Sequence, residues 1–108
     1  MRYHALEKLI NLREGYQRSF RIDNLSLLLI EHDGERYLVE ASCPHQGHPL
    51  DTAAVFAGSI QCPRHHYRFR LNSGALVATD GTTCRPLRVF ELVYRGAEVG
   101  VLLSDIDD

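Results

Sequence analysis

No apolar run in the 108-residue sequence approaches the roughly 20 residues that a membrane-spanning helix needs, so no membrane partner is expected. The opening stretch, MRYHALEKLINLREG, carries charges throughout and lacks the apolar core of a secretory signal, which makes a cytoplasmic location the expectation. A basic excess is missing too: 12 Lys and Arg stand against 14 Asp and Glu, a formal net charge of −2, so no nucleic-acid partner is expected. Cysteine is scarce and odd in number. Cys43, Cys62 and Cys84 without a secretory signal do not make a disulfide framework, and leave structural, metal-binding or reactive thiols. Repeats, low-complexity tracts and linkers are absent, and with 44% hydrophobic and 24% charged residues the composition is that of one ordinary globular domain over 1–108. Helix signals are nearly lacking: only ALEKLINL (5–12) has suitable spacing, and only for a turn or two.

What is present reads as short strands. NLSLLLI (24–30) is a compact apolar run, and RYLVEA (36–41) alternates, with Tyr37, Val39 and Ala41 on one face. Asp33-Gly34 between them is a strong hairpin signal, because a two-residue hairpin turn of this kind needs positive φ at both central positions. YRFRL (67–71) sets Tyr67, Phe69 and Leu71 against Arg68 and Arg70, and Asn72-Ser73-Gly74 turns it into ALVAT. A third hairpin is predicted in RVFELVY–RG–AEVGVLL (88–103). Frequent turns between short strands predict an all-β antiparallel sandwich or barrel. Residues 42–64 depart from that pattern and read as a long loop, which in a small domain points to function.

That region holds Cys43-Pro44-His45 and Cys62-Pro63-Arg64-His65, a C-x-H and a C-x-x-H. Two thiolates and two imidazoles can hold a tetrahedral zinc, or a [2Fe-2S] cluster with sulfur on one iron and nitrogen on the other. Zinc sites favour like-ligand pairs spaced C-x₂₋₄-C or H-x₃₋₅-H. A loop that offers one Cys and one His so close together suits two metal atoms a few Å apart, one ligand to each.

CPHQGHPL followed by CPRHHYRFRLNSG resembles the cluster-binding signature of Rieske proteins, roughly C-x-H-x-G-x-x-L and C-P-x-H-G-x-x-F with a later glycine. The matching residues are Cys43, His45, Gly47, Leu50, Cys62, Pro63, His65, Phe69 and Gly74, with Gly58 upstream. The resemblance implies a Rieske-like antiparallel β sandwich of three sheets, with a two-loop cluster-binding subdomain at about 42–70 inserted in it. It implies a Rieske-type [2Fe-2S] cluster held by Cys43, His45, Cys62 and His65. Neutral imidazoles in place of two thiolates leave the oxidised site without net charge, so an electron is added more easily than to an all-cysteine site.

Departures from the signature point to the low-potential, ferredoxin type. His48 and Arg64 stand where respiratory members carry an extra cysteine pair, and Tyr67 and Phe69 stand where high-potential members place serine and tyrosine hydroxyls. His66 replaces a glycine, which raises the question of a positive φ. The resemblance implies a monomeric one-electron carrier that is not itself an enzyme. It would take electrons from a flavin-dependent, NAD(P)H-oxidising reductase and pass them to a terminal oxygenase. A small Rieske-like subunit of an assimilatory nitrite reductase or similar enzyme, and a zinc-stabilised binding module, are the alternatives. Outside the signature, Cys84 reads as a small buried hydrophobe, His48 as a loop surface residue, and His4 and His32 as exposed.

Overall fold

The structure, a computed structural model, describes residues 1–64, 66–78 and 84–104. Among the described residues eleven strands run in chain order: β1 (Arg2–Lys8), β2 (Gln17–Ile22), β3 (Leu25–His32), β4 (Glu35–Glu40), β5 (Ala54–Phe56), β6 (Ser59–Gln61), β7 (Arg68–Arg70), β8 (Leu76–Ala78), β9 (Val89–Phe90), β10 (Val93–Arg95) and β11 (Glu98–Leu103). They form three antiparallel sheets ordered β1-β11-β10, β2-β3-β4-β9 and β5-β6-β7-β8, as an all-β fold requires. No helix among the described residues is long and apolar enough to cross a membrane.

The central sheet explains the compact apolar run. Leu28 and Ile30 of β3 face one core with Val39, Ala41 and Leu87, while Leu27 and Leu29 face another with Leu38, Val99, Val101 and Leu103. A strand covered on both sides reads as continuous rather than alternating hydrophobicity. Its hairpin to β4 turns at Asp33 (φ 53°) and Gly34 (φ 78°), the primed geometry that Asp-Gly favours. Tyr67, Phe69 and Leu71 all point into the first core, as their alternation predicts.

Three expectations are corrected. ALEKLINL is not helical beyond one 3₁₀ turn at Leu9–Asn11; residues 2–8 pair with β11 instead. A bulge between Ala5 and Glu7 breaks the strand alternation, so exposed positions recur every third residue and imitate a helix. The stretch 88–95 is not one strand either. Val89–Phe90 pairs with β4 and Val93–Arg95 with β11, so the chain changes sheets at Glu91-Leu92. Residues 42–64 are also less of a loop than their composition predicts, since they contain β5 and β6.

Candidate metal centre

The two Cys/His stretches emerge from different parts of the frame. The first follows β4: Ala41 N–H donates to the Ser26 carbonyl, Leu50 N–H to the Ala41 carbonyl, and Ser42 bridges Pro49. Between them the chain closes tightly, with Cys43 N–H donating to the His48 carbonyl at 2.8 Å and Gly47 N–H to the Cys43 carbonyl at 2.7 Å. Gly47 sits at φ 73°, a conformation that lets the loop reverse within so few residues. The Gln17 side-chain amide of β2 then donates to the Leu50 and Ala53 carbonyls at 3.0 Å each, anchoring the far end of the loop to the central sheet.

The second stretch joins β6 to β7. Cys62 N–H donates to the Tyr67 carbonyl at 2.7 Å, closing a short loop that holds Pro63, Arg64 and His66 at the surface. His66 has φ 61°, so the family's glycine position does require the left-handed region; its Nδ1 lies 2.9 Å from the Gln61 amide nitrogen. His65 lies outside the described residues.

Cys43 and Cys62 are brought together in the interior, exposed by only 2% and 1%. Burial pushes the Cys62 thiol up, and hydrogen bonding with and charge repulsion from Cys43 push it the same way. The Arg64 backbone N–H and guanidinium pull against them. Burial thus favours the protonated Cys62 thiol when nothing binds it, and a metal centre that takes it as a thiolate must displace that proton. His45 is half-buried and stacks on Tyr67, ring centroids 4.1 Å apart and planes 17° from parallel. Tyr67 is fully buried, so the second loop fixes the imidazole of the first. The donor set therefore fits a centre that takes sulfur on its inner side and imidazole nearer the surface. Sequence reasoning put Tyr67 beside the cluster position but missed its stacking on His45; its inward place in the YRFRL alternation, directly after the second Cys/His stretch, was the available signal.

The remaining candidates divide. Cys84 is half-buried and packs against the same core as Cys43 and Cys62, and burial raises its thiol. His48 contributes its carbonyl to Cys43 and is itself half-buried. His32 is not exposed scatter: its side chain is 14% exposed, Gly58 N–H donates to its Nε2 at 3.3 Å, and Glu14 and Asp33 flank it at 3.5 and 3.6 Å.

A three-sheet β frame that presents two cross-braced loops, with paired interior thiols and a braced imidazole, defines a metal–sulfur protein. More narrowly, the chain belongs to the Rieske [2Fe-2S] domain family, which matches it over residues 3–91, and membership implies a Rieske-type cluster. It is 30% identical over 66 residues to apoptosis-inducing factor 3 of Mus musculus and of Homo sapiens. That stretch is 61% of this chain, and the chain spans 11% of the length of those curated relatives. The ferredoxin of carbazole 1,9a-dioxygenase from Nocardioides aromaticivorans IC177 superposes with a TM-score of 0.80 at 26% identity, covering 92% of this chain and 95% of that one. A chain from the complex of reduced oxygenase and oxidized ferredoxin in carbazole 1,9a-dioxygenase also gives 0.80, at 23% identity over 92% and 100%, a likeness of fold.

Proposed function

We propose that this chain is a low-potential Rieske-type ferredoxin, a single domain over 1–108 whose segment at about 42–70 holds the cluster. Cys43 and Cys62 would take the inner iron, and His45 and His65 the outer one. When bound, the cluster gains and loses one electron. The protein's own residues do the rest: the core around Cys43 and Cys62 keeps water from the sulfur donors, and Tyr67 holds the His45 ring in place. The observation that carries this reading is the thiol pair itself, buried side by side from two separate loops, with an imidazole braced nearby. The carrier would accept electrons from a flavin-dependent NAD(P)H reductase and deliver them to a terminal oxygenase. Similarity to the carbazole dioxygenase ferredoxin supports that assignment.

The test is the purified protein. Red-brown colour, about two irons and two acid-labile sulfides per chain, and an EPR signal of mixed thiolate and imidazole ligation after dithionite reduction are expected. A colourless protein with one zinc would overturn the proposal in favour of a binding module. Substituting His65 by Cys should keep iron but abolish the Rieske spectrum; an unchanged spectrum removes His65 from the ligand set. A second reading, a fixed Rieske-like subunit or module of a larger enzyme such as an assimilatory nitrite reductase, is favoured by the much greater length of the curated relatives. Stable co-elution with a large subunit supports it; a free monomer in native extracts supports the shuttle.

A further inference from the structure

The charges of this chain are segregated along its sequence. Every one of the 14 carboxylates lies outside residues 52–79, whereas three of the 12 cationic side chains, Arg64, Arg68 and Arg70, lie inside that stretch. The segment that builds the β5–β8 sheet and the second loop is thus purely cationic within a chain of net −2.

The strand register puts these cations together. Phe56 pairs Ser59, Ser59 pairs Arg70, Gln61 pairs Arg68, and directly opposed residues share a face. Val55, Ile60 and Phe69 point inward to the core. The outer face therefore carries Phe56, Gln61, Arg68 and Arg70. The Arg68 guanidinium lies 5.5 Å from the centroid of the Phe56 ring, which is 39% exposed. Gln61 ties this face to His66, and exposed Arg64 continues it around the loop next to Cys62. Among the described residues no carboxylate pairs with Arg64, Arg68 or Arg70, whereas Arg18, Arg36 and Arg85 elsewhere do have such partners.

We propose that this outer face, with Arg68 over Phe56, Arg70 on the same face and Arg64 on the adjoining loop, is a docking surface for an acidic face of the protein with which the chain exchanges electrons. The inference rests on the electron-carrier reading. The chemistry favours it on two counts. An exposed aromatic ring beside a guanidinium can be desolvated against a partner while arginines on the same face make charge-assisted bonds to carboxylates. A local positive field on a net-negative molecule also orients it: the arginine-bearing face is drawn toward an acidic partner, which speeds productive encounters at low salt.

The test uses the full chain and poly-L-glutamate as the acidic probe, titrated by calorimetry at low and at physiological ionic strength. Binding that weakens with salt is expected. R64Q/R68Q/R70Q together should weaken it at least about tenfold, while R13Q/R21Q/R88Q, which alters net charge equally, should change it less than about twofold. Equal losses in the two triple variants, no binding by the wild type, or tighter binding to an oligothymidylate of the same charge would each overturn the proposal. Visible absorbance and iron content, measured on the same samples, separate the two readings. A colourless protein counts against the electron carrier, while the titration still decides the surface.

Discussion

Gly74→Ala tests how the outermost sheet is tied to the frame that shapes the site. Gly74 has φ 79°, its N–H donates to the Arg70 carbonyl at 2.8 Å, and its carbonyl accepts from Leu87 N–H at 2.8 Å. A Cβ there would lie 1.8 Å from the Leu87 carbonyl oxygen and 2.9 Å from its carbon. Close carbon–oxygen contacts run at about 3.3 Å, so the two segments would have to part by roughly 1.5 Å. Three losses follow. The left-handed conformation costs an L-residue about 1–2 kcal/mol. The broken Leu87 hydrogen bond costs about 1 kcal/mol. Displacing Leu87, 2% exposed and packed in the core that holds both cysteines, costs about 1–3 kcal/mol. A destabilisation of about 3–6 kcal/mol follows, a fall in Tm of more than about 12 °C for a domain of this size. Gly96→Ala is the control: φ is 58°, but nothing lies within 4 Å of its added carbon, so only the conformational term of about 1–2 kcal/mol applies. Urea and thermal unfolding of the two variants measure the difference. If Gly74→Ala falls within about 1 kcal/mol of Gly96→Ala, the clash argument is wrong.

Three further outcomes follow from the same structure. Glu7 accepts from Asn11, the Tyr16 hydroxyl and the Lys8 amide, which hold its carboxyl down to about 2, while burial and then Glu7 push Tyr16 up to about 12. The Glu7 contribution is complete above the ordinary carboxylate range and is lost as pH falls toward 2; the Tyr16 contribution is complete below the ordinary phenol range and is lost as pH rises through about 12. Tyr16→Phe should cost about 1–2 kcal/mol at neutral pH and flatten both limbs of a stability–pH curve, which denaturation across pH would show. Glu40 accepts from Arg85 at 2.6 and 2.9 Å and from the Arg88 amide at 2.7 Å, so Glu40→Ala should cost about 2–3 kcal/mol in chemical denaturation, with Glu40→Gln milder. Cys84→Ala removes packing rather than a ligand: iron content and visible spectrum should be retained, with a stability loss below about 1.5 kcal/mol.

Features whose cause is local are legible in the sequence. Asp33-Gly34 specifies its turn because two adjacent residues must both take positive φ, and the Tyr67-Phe69-Leu71 alternation specifies its buried face because strand side chains alternate. The Cys/His stretches are legible for the same reason, since each Cys and its His lie a few residues apart in the sequence. Tertiary structure alone decided the rest. Residues 2–8 became a strand because β11, distant in sequence, offered an edge, and the bulge that fits them to it disguised the period. Residues 88–95 were divided between two sheets by the open edges of β4 and β11, which no local pattern records. The Tyr67 ring against His45, the Gln17 anchor and the meeting of Cys43 with Cys62 join residues from separate segments. Residue spacing along the chain can say which donors belong to a loop, but only the packing of one loop against the other determines where those donors meet.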